Sequence, residues 1–118
     1  MSEINIIDAS KMLTDEYAMK ILAGSFHYPK SAQELSKRFN IPIAACYRKI
    51  HDLEESGFLE CVEKVLGKDG RRIRLYRSQL KGAYLFFENG KLRVCLNLTK
   101  VPMVEYDETV DILQMPHA

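Results

Sequence analysis

Residues 31–59 carry two short helical patterns of apolar residues separated by a turn. In the first pattern, apolar residues recur at helical spacing from Ala32 to Phe39, with polar residues between them. Ser31 and Glu34 have the spacing of a capping box, in which each side chain accepts a hydrogen bond from the other residue's backbone N–H, so a helix is predicted to begin here. The Asn-Ile-Pro that follows predicts a tight turn, because proline's fixed φ and missing N–H suit the first turn of a new helix.

The second helical pattern spans residues 43–56 and ends at Gly57, which suits the left-handed end of a helix. The apolar seam expected to face the core comprises Ile41, Cys46, Ile50 and Leu53. The residues predicted on the outward and N-terminal parts are Ile43, Ala44, Ala45, Tyr47, Arg48, Lys49 and His51. Cations in the early turns and acids in the last turn oppose the preference of the helix dipole. A DNA groove would explain this placement, because small residues allow close approach and cations reach phosphates and base edges.

After Gly57 the apolar pattern changes from a helical period to a period of two. Residues 58–66 and 71–77 are strand-like, and the Gly-Lys-Asp-Gly sequence between them predicts the turn of a β-hairpin. From residue 64 to residue 81 a single acid, Asp69, stands among seven cations, which are Lys64, Lys68, Arg71, Arg72, Arg74, Arg77 and Lys81. A cationic hairpin after such a helix suits a wing that reaches over a phosphate backbone. The alternative is a solvated surface hairpin whose charges serve solubility alone.

Residues 82–98 predict a second hairpin around Asn89-Gly90, which is a strong turn signal. Alternate residues of its second strand share one apolar face, whereas residues 84–87 are apolar on both faces. Either a twin subunit or the tail is expected to cover the second face. The tail, residues 99–118, predicts an edge strand followed by a helical turn.

The first 30 residues predict two helices and a loop. A short helix is expected within residues 1–13, with its apolar residues docked either on the same subunit's core or on a partner. Thr14 is predicted to cap the next helix, in which Glu16 and Lys20 form a favourable i, i+4 pair and Gly24 marks the end. His27 has no second His or Cys at ligand spacing, so an ordinary loop histidine is favoured over a metal ligand.

Composition limits the class of protein. The chain has 118 residues, 47% hydrophobic and 28% charged, which favours one soluble globular domain with an appendage. The net charge of +1 requires that any nucleic-acid face arise from local segregation of charge. Three widely spaced cysteines make a disulfide framework improbable and favour a reducing cytoplasm. No apolar run approaches the roughly 18 residues of a membrane helix, and the first ten residues do not have the pattern of a signal peptide.

These motifs together resemble the winged helix-turn-helix of ArsR-type transcriptional regulators. The matching pieces are LTDEYAMKIL, SAQELSKRFNIP and IAACYRKIHDLEESGFLE, which lie within residues 13–77. The resemblance implies an α+β fold with a three-helix core and a β-wing in residues 1–80. Residues 81–118 then form an additional C-terminal β-hairpin and tail that serve dimerisation or cover the core. In the family a helix usually follows the wing and builds the dimer, so this chain departs from the family there.

The family's metal sensors carry a paired-cysteine motif on the first helix of the helix-turn-helix, but the corresponding QELSKRF has no cysteine. Metal sensing at that site is therefore excluded, and no cofactor is expected. Neither a nucleophile paired with a base nor a phosphate-binding glycine loop is present, so an enzyme is not expected.

The favoured function is a homodimeric, sequence-specific regulator of transcription, of the repressor type, that binds double-stranded DNA. Tyr47 and Arg48 are expected at base edges, and Ser31 and Lys49 at phosphates. The complete set of predicted DNA-binding residues is Ser31, Ile43, Ala44, Ala45, Tyr47, Arg48, Lys49, His51, Lys68, Arg71, Arg72 and Arg74. The alternative is a protein-interaction module within a larger complex, because a fold does not fix a function. In that case Ile43, Tyr47 and the alanines form the docking patch.

Overall fold

A computed structural model of the chain describes residues 5–99 and 104–114. Within these ranges the fold is α+β, with helices first and antiparallel strands after them. The helices are α1 (Ile6–Leu13), α2 (Glu16–Gly24), α3 (Ala32–Phe39) and α4 (Ile43–Glu55). The strands are β1 (Leu59–Leu66), β2 (Arg72–Ser78), β3 (Leu80–Glu88), β4 (Lys91–Leu98) and β5 (Val104–Asp111), followed by a 3₁₀ turn at Ile112–Gln114. β1 and β2 form one small sheet, and β3, β4 and β5 form another with β4 in the centre.

The local signals around the turn between α3 and α4 act as predicted. The Ser31 hydroxyl accepts a hydrogen bond from the Glu34 N–H at 3.1 Å, and the Ser31 N–H donates to the Glu34 carboxylate at 3.3 Å. Asn40 ends α3 in the left-handed conformation with φ of 54°. Pro42 then immediately precedes the first residue of α4, and Gly57 follows its end with φ of 81°. The predicted helix-turn-helix boundaries are therefore confirmed to within a residue.

The helices pack around large buried side chains, which include Ile21, Leu35, Ile50, Leu53 and Phe58. Gly24, predicted as the end of α2, is its last residue and has a second role. A β-carbon built on Gly24 would lie 2.3 Å from the Phe39 ring, closer than atoms can approach. The absence of a side chain at Gly24 thus lets α3 dock against α2.

The N-terminal helix α1 docks on the core of the same subunit. Ile6 and Ala9 of α1 are buried in the same core as the other helices, which confirms docking on the same subunit for this segment.

Thr14 was predicted to cap α2, and this prediction is wrong. Its hydroxyl instead donates back to the Ser10 carbonyl of α1 at 3.0 Å, and the Asp15 carboxylate caps α2 by accepting from the Ala18 N–H at 2.8 Å.

The β1–β2 hairpin has the predicted turn and is tied to the helices at its base. Gly70 adopts φ of 81° at the tip, and the Gly67 N–H donates to the Arg71 carbonyl at 2.7 Å. Lys30 and Tyr76 exchange two backbone hydrogen bonds of 2.9 and 2.8 Å, so β2 lies beside the segment that leads into α3. This pairing fixes the position of the hairpin relative to the helix-turn-helix.

The second sheet is built on the predicted turn, where Asn89 and Gly90 both have positive φ. Val94, Leu96 and Leu98 of β4 are buried in the same cluster as the helices, so residues on both sides of the expected boundary at residue 80 share one core. The tail forms the predicted edge strand, β5, and a helical turn. Because β5 adds to the edge of the sheet, it leaves residues 84–87 exposed on both faces.

Candidate functional site

The surface of α4 separates into a buried face and an exposed stripe. Cys46, Ile50 and Leu53 are buried, as predicted. The exposed stripe, called the α4 stripe below, consists of Ala44, Tyr47, Arg48 and His51 at helical spacings of three and four residues. Ile43 lies beside the stripe in the first turn and is also exposed. No described residue forms a hydrogen bond or ion pair with the Arg48 side chain, which therefore extends into solvent.

Ala45 was predicted to lie on the outward part of α4, and this prediction is wrong, because the residue is only 7% exposed. It follows Ile41 by four residues, so it shares the side of the helix-turn-helix that the core covers. A residue buried in this way cannot contact a base edge. Its small size serves packing between helices instead.

Lys49 lies four residues after Ala45, and its side chain forms an ion pair within the fold. Its ammonium nitrogen lies 3.2 Å from the Asp15 carboxylate at the start of α2, and each side chain is 30% exposed. Burial alone would raise the pKa of Asp15. The hydrogen bonds from the Ala18 N–H and from Lys49 outweigh this effect, so the pKa of the carboxyl lies below its ordinary value. Lys49 thus links α2 to α4, and the prediction that it points freely outward is wrong.

Ser31 also has a structural role. It is 5% exposed, and both its hydroxyl and its N–H form the hydrogen bonds of the capping box with Glu34. The predicted role of Ser31 as a side-chain phosphate contact is therefore not supported by its geometry, although its position borders the site.

Gln33 is a candidate site residue that the sequence analysis did not select. Its side-chain amide donates to the Tyr47 hydroxyl at 2.9 Å and so links the first turn of α3 to the α4 stripe. Both side chains are exposed, which makes this contact part of the surface. Gln33 lies on the polar side of α3, but nothing in the local sequence shows that this side faces Tyr47.

The cations of the β1–β2 hairpin differ in how far they are neutralised. The side chains of Lys68 and Arg72 form no hydrogen bond or ion pair with any described residue and are exposed. Arg71 lies 3.3 Å from Asp69 in a fully solvated pair. Arg74 is the most restrained, because its guanidinium lies 3.4 Å from Glu54 and 5.7 Å from the centre of the Tyr76 ring.

An open recess of about 390 Å³ joins the helices to this hairpin. The residues that line it come from the start of α3, from α4 and from the hairpin, and they are Ser31, Ala32, Gln33, Tyr47, Asp69, Arg71, Arg72, Ile73, Arg74 and Tyr76. Three guanidinium groups and the Tyr47 phenol therefore border one concave surface. Arg48 and His51 continue the surface along α4 outside the recess, and His51 lies 3.1 Å from Glu55.

The other reactive side chains of the described residues form no second candidate site for catalysis or metal binding. Cys46 is buried beside the Ala32 carbonyl, and burial raises the pKa of its thiol, which disfavours the reactive thiolate. Among residues 5–99 and 104–114, no three His, Cys, Asp or Glu side chains are grouped so that they could hold a metal ion. Over the same residues no helix has the length and hydropathy of a membrane span.

Comparison with protein-family models, with curated proteins and with solved structures finds no match to this chain.

Proposed function

We propose that this protein is a winged helix-turn-helix regulator of transcription that binds double-stranded DNA in a sequence-specific manner. In this proposal α4 is the recognition helix, and the β1–β2 hairpin is the wing. The observation that carries it is the recess that Tyr47 of the α4 stripe shares with Arg71 and Arg72 of the hairpin. One continuous concave surface thereby combines an exposed helix with cations on a neighbouring hairpin, as binding to a duplex requires.

The dimensions and chemistry of α4 fit a major groove. Its 13 residues span about 20 Å at 1.5 Å per residue, and a groove about 12 Å wide admits one helix. Ala44 allows close approach of the backbone, and Arg48 has the free guanidinium that bidentate contact with guanine needs. Tyr47, held by Gln33, is positioned to contact a base edge or a sugar.

The hairpin supplies contacts that do not depend on sequence. Lys68, Arg71 and Arg72 are placed to contact phosphates that flank the groove or to enter a minor groove. Arg74 contributes less in this proposal because Glu54 already neutralises it. The small net charge of +1 is compatible with this arrangement, since seven of the cations lie between residues 64 and 81 with a single acid.

The test begins with selection of bound fragments from a random double-stranded library or from the source genome. Binding of the wild type and of Arg48→Ala is then compared on a selected fragment and on an unrelated duplex. We expect Arg48→Ala to weaken binding to the selected fragment by about 1–3 kcal/mol, with a much smaller effect on the unrelated duplex. Lys91→Ala, an exposed cation of the other sheet, is the matched control. Unchanged sequence preference in Arg48→Ala would contradict the proposal.

A second candidate is a protein-interaction module, and it is favoured by the apolar part of the same surface. Ile43 is 45% exposed and Tyr47 is 47% exposed, which together offer a docking patch. Salt separates the two candidates. Binding to phosphates weakens steeply as salt rises, whereas docking of an apolar patch changes little.

A further inference from the structure

The two edges of the β3–β4–β5 sheet differ in charge. The β5 edge carries four acids, which are Glu105, Asp107, Glu108 and Asp111. β3 carries Lys81 and Glu88 at its ends, but its middle, residues 82–87, called the β3 edge below, has the uncharged sequence Gly-Ala-Tyr-Leu-Phe-Phe. Natural proteins protect exposed edge strands with charged residues, because an uncharged edge pairs readily with another strand. The β5 edge has this protection and the β3 edge does not.

The β3 edge also exposes apolar side chains on both faces of the sheet. Leu85 and Phe87, which pair with Val94 and Leu92, point to the same face as the buried residues of β4, and they are 39% and 72% exposed. Tyr84 and Phe86 point to the opposite face and are 57% and 40% exposed. Such a run is unusual at the surface of a monomer unless another chain covers it.

The backbone of the β3 edge is available as well. Between residues 81 and 88, the backbone hydrogen bonds to other described residues are those of the β3–β4 ladder. No described residue bonds the N–H and C=O groups that point away from β4, so these groups can pair with another strand. A partner strand would satisfy these groups and cover the apolar side chains at the same time.

We propose that β3 pairs antiparallel with β3 of a second copy of this chain, so that two three-stranded sheets form one six-stranded sheet. The pairing with Leu85 on the two-fold axis places Leu85 opposite Leu85 of the second copy. It also places Tyr84 opposite Phe86 of the second copy, and Ala83 opposite Phe87 of the second copy. Every residue from 83 to 87 then meets an uncharged partner on the same face, which sets the register.

Two considerations favour pairing of β3 with β3 over other pairings between sheet edges: the charges on each edge and whether the assembly stops at two copies. Two β5 edges would bring acids opposite acids, which is destabilising. Pairing of β3 with β5 of another copy would leave a free edge at each end and would grow into an open filament. Pairing of β3 with β3 closes after two copies, because both free edges are then acidic.

The area involved predicts a modest affinity. An aromatic side chain offers about 150–250 Å² of surface, so the exposed fractions of residues 84–87 correspond to roughly 400 Å² per copy. A standard interface buries about 800 Å² per partner, and smaller ones are typical of weaker complexes. Even with the paired backbone added, we expect a dissociation constant that is roughly micromolar.

This inference specifies the interface of the homodimer that accompanies the proposed function, but it does not require DNA binding. In an antiparallel pair the two β3 strands begin at opposite ends of the joint sheet. The helical parts of the two copies, which precede β3 in the chain, are therefore carried apart. This departs from dimers in which a helix after the wing forms the contact.

The test measures the mass of the full chain without DNA, by sedimentation at concentrations from about 1 to 100 μM, a range set by the expected affinity. Leu85→Lys and Leu85→Glu each place like charges opposite one another, and we expect each to weaken the dimer by roughly tenfold or more. An equal mixture of the two variants brings Lys opposite Glu and is expected to restore the dimer. Thr109→Lys on the β5 edge is the matched control and is expected to leave the dimer unchanged.

Circular dichroism checks that the variants fold. If the substitutions at Leu85 lower the melting temperature strongly, Tyr84→Lys and Phe86→Glu replace them, since each alone is expected to weaken the dimer and the double variant to restore it. A monomeric wild type at 100 μM, an open-ended assembly, or failure of the mixture to restore the dimer would overturn the inference. A monomer that binds DNA refutes the dimer alone, and a dimer that does not bind DNA refutes the proposed function alone.

Discussion

Replacement of Arg72 by alanine gives the sharpest test of the wing. Arg72 is exposed and borders the recess, and its side chain forms no hydrogen bond or ion pair with any described residue. Its truncation to alanine therefore removes no polar contact among the described residues, and we expect the free energy of unfolding to change by less than about 0.5 kcal/mol. Any loss of DNA binding then reports on a lost phosphate contact.

The size of the effect follows from the cations that the fold leaves available. Lys49 and Arg74 are paired with Asp15 and Glu54, and Arg48 is assigned to a base edge, which leaves Lys68, Arg71 and Arg72 to contact phosphates. At about 0.9 per phosphate contact, three cations predict a slope of log affinity against log salt near −2.7 per protomer. Between 50 and 200 mM salt the affinity should fall roughly 40-fold for the wild type and roughly 12-fold for Arg72→Ala.

Fluorescence anisotropy measures both slopes on a selected fragment and on an unrelated duplex. Arg72→Ala should lower affinity equally on the two sequences, because phosphates are the same in both. Lys91→Ala removes the same charge from a distant hairpin and should leave the slope unchanged. An unchanged slope in Arg72→Ala, or a loss confined to the selected fragment, would refute the assignment of Arg72 to the backbone.

Three further predictions concern stability. Gly24→Ala should destabilise the fold by about 1–3 kcal/mol in denaturant titrations, since its β-carbon would overlap the Phe39 ring, and a neutral effect would refute that close approach. Ser31→Ala should cost about 1 kcal/mol in the same assay through loss of the α3 cap, and an undiminished stability would contradict this. The folded-state pKa of Asp15 lies below its ordinary value of 3.8, so its hydrogen bond from the Ala18 N–H and its pairing with Lys49 contribute stability above that pH, which is lost as pH falls through the folded pKa. Asp15→Asn should therefore be less stable than the wild type at neutral pH but not at low pH, and a difference that persists in acid would refute the linkage.

The features that the sequence predicted well are those that depend on neighbours in the chain. The capping box at Ser31, the left-handed Asn40 and the stop at Gly57 each act over a few residues, and the structure has all of them. The turn at Asn89 and Gly90 is similar, because positive φ at both positions is a local requirement. These signals are enough to place the boundaries of α3, α4 and the β-hairpins.

The features that the sequence missed depend on residues far apart in the chain. Lys49 is outward by its position on an isolated helix, but Asp15, 34 positions earlier, reaches it once α2 packs beside α4. Ala45 is small enough to suit either face of a helix, and its burial results from the packing of α4 against the core. The contact between Gln33 and Tyr47 likewise exists only after α3 and α4 have crossed.

The distribution of charge along the chain explains how a net charge of +1 is compatible with a cationic surface. Between residues 64 and 81 seven cations stand against one acid, whereas β5 carries four acids, Glu105, Asp107, Glu108 and Asp111. The side chains of Arg48, Lys68 and Arg72, on α4 and the β1–β2 hairpin, are exposed and have no ion pair with a described residue. Because the field of a surface depends on this local excess, the small net charge does not argue against binding to DNA.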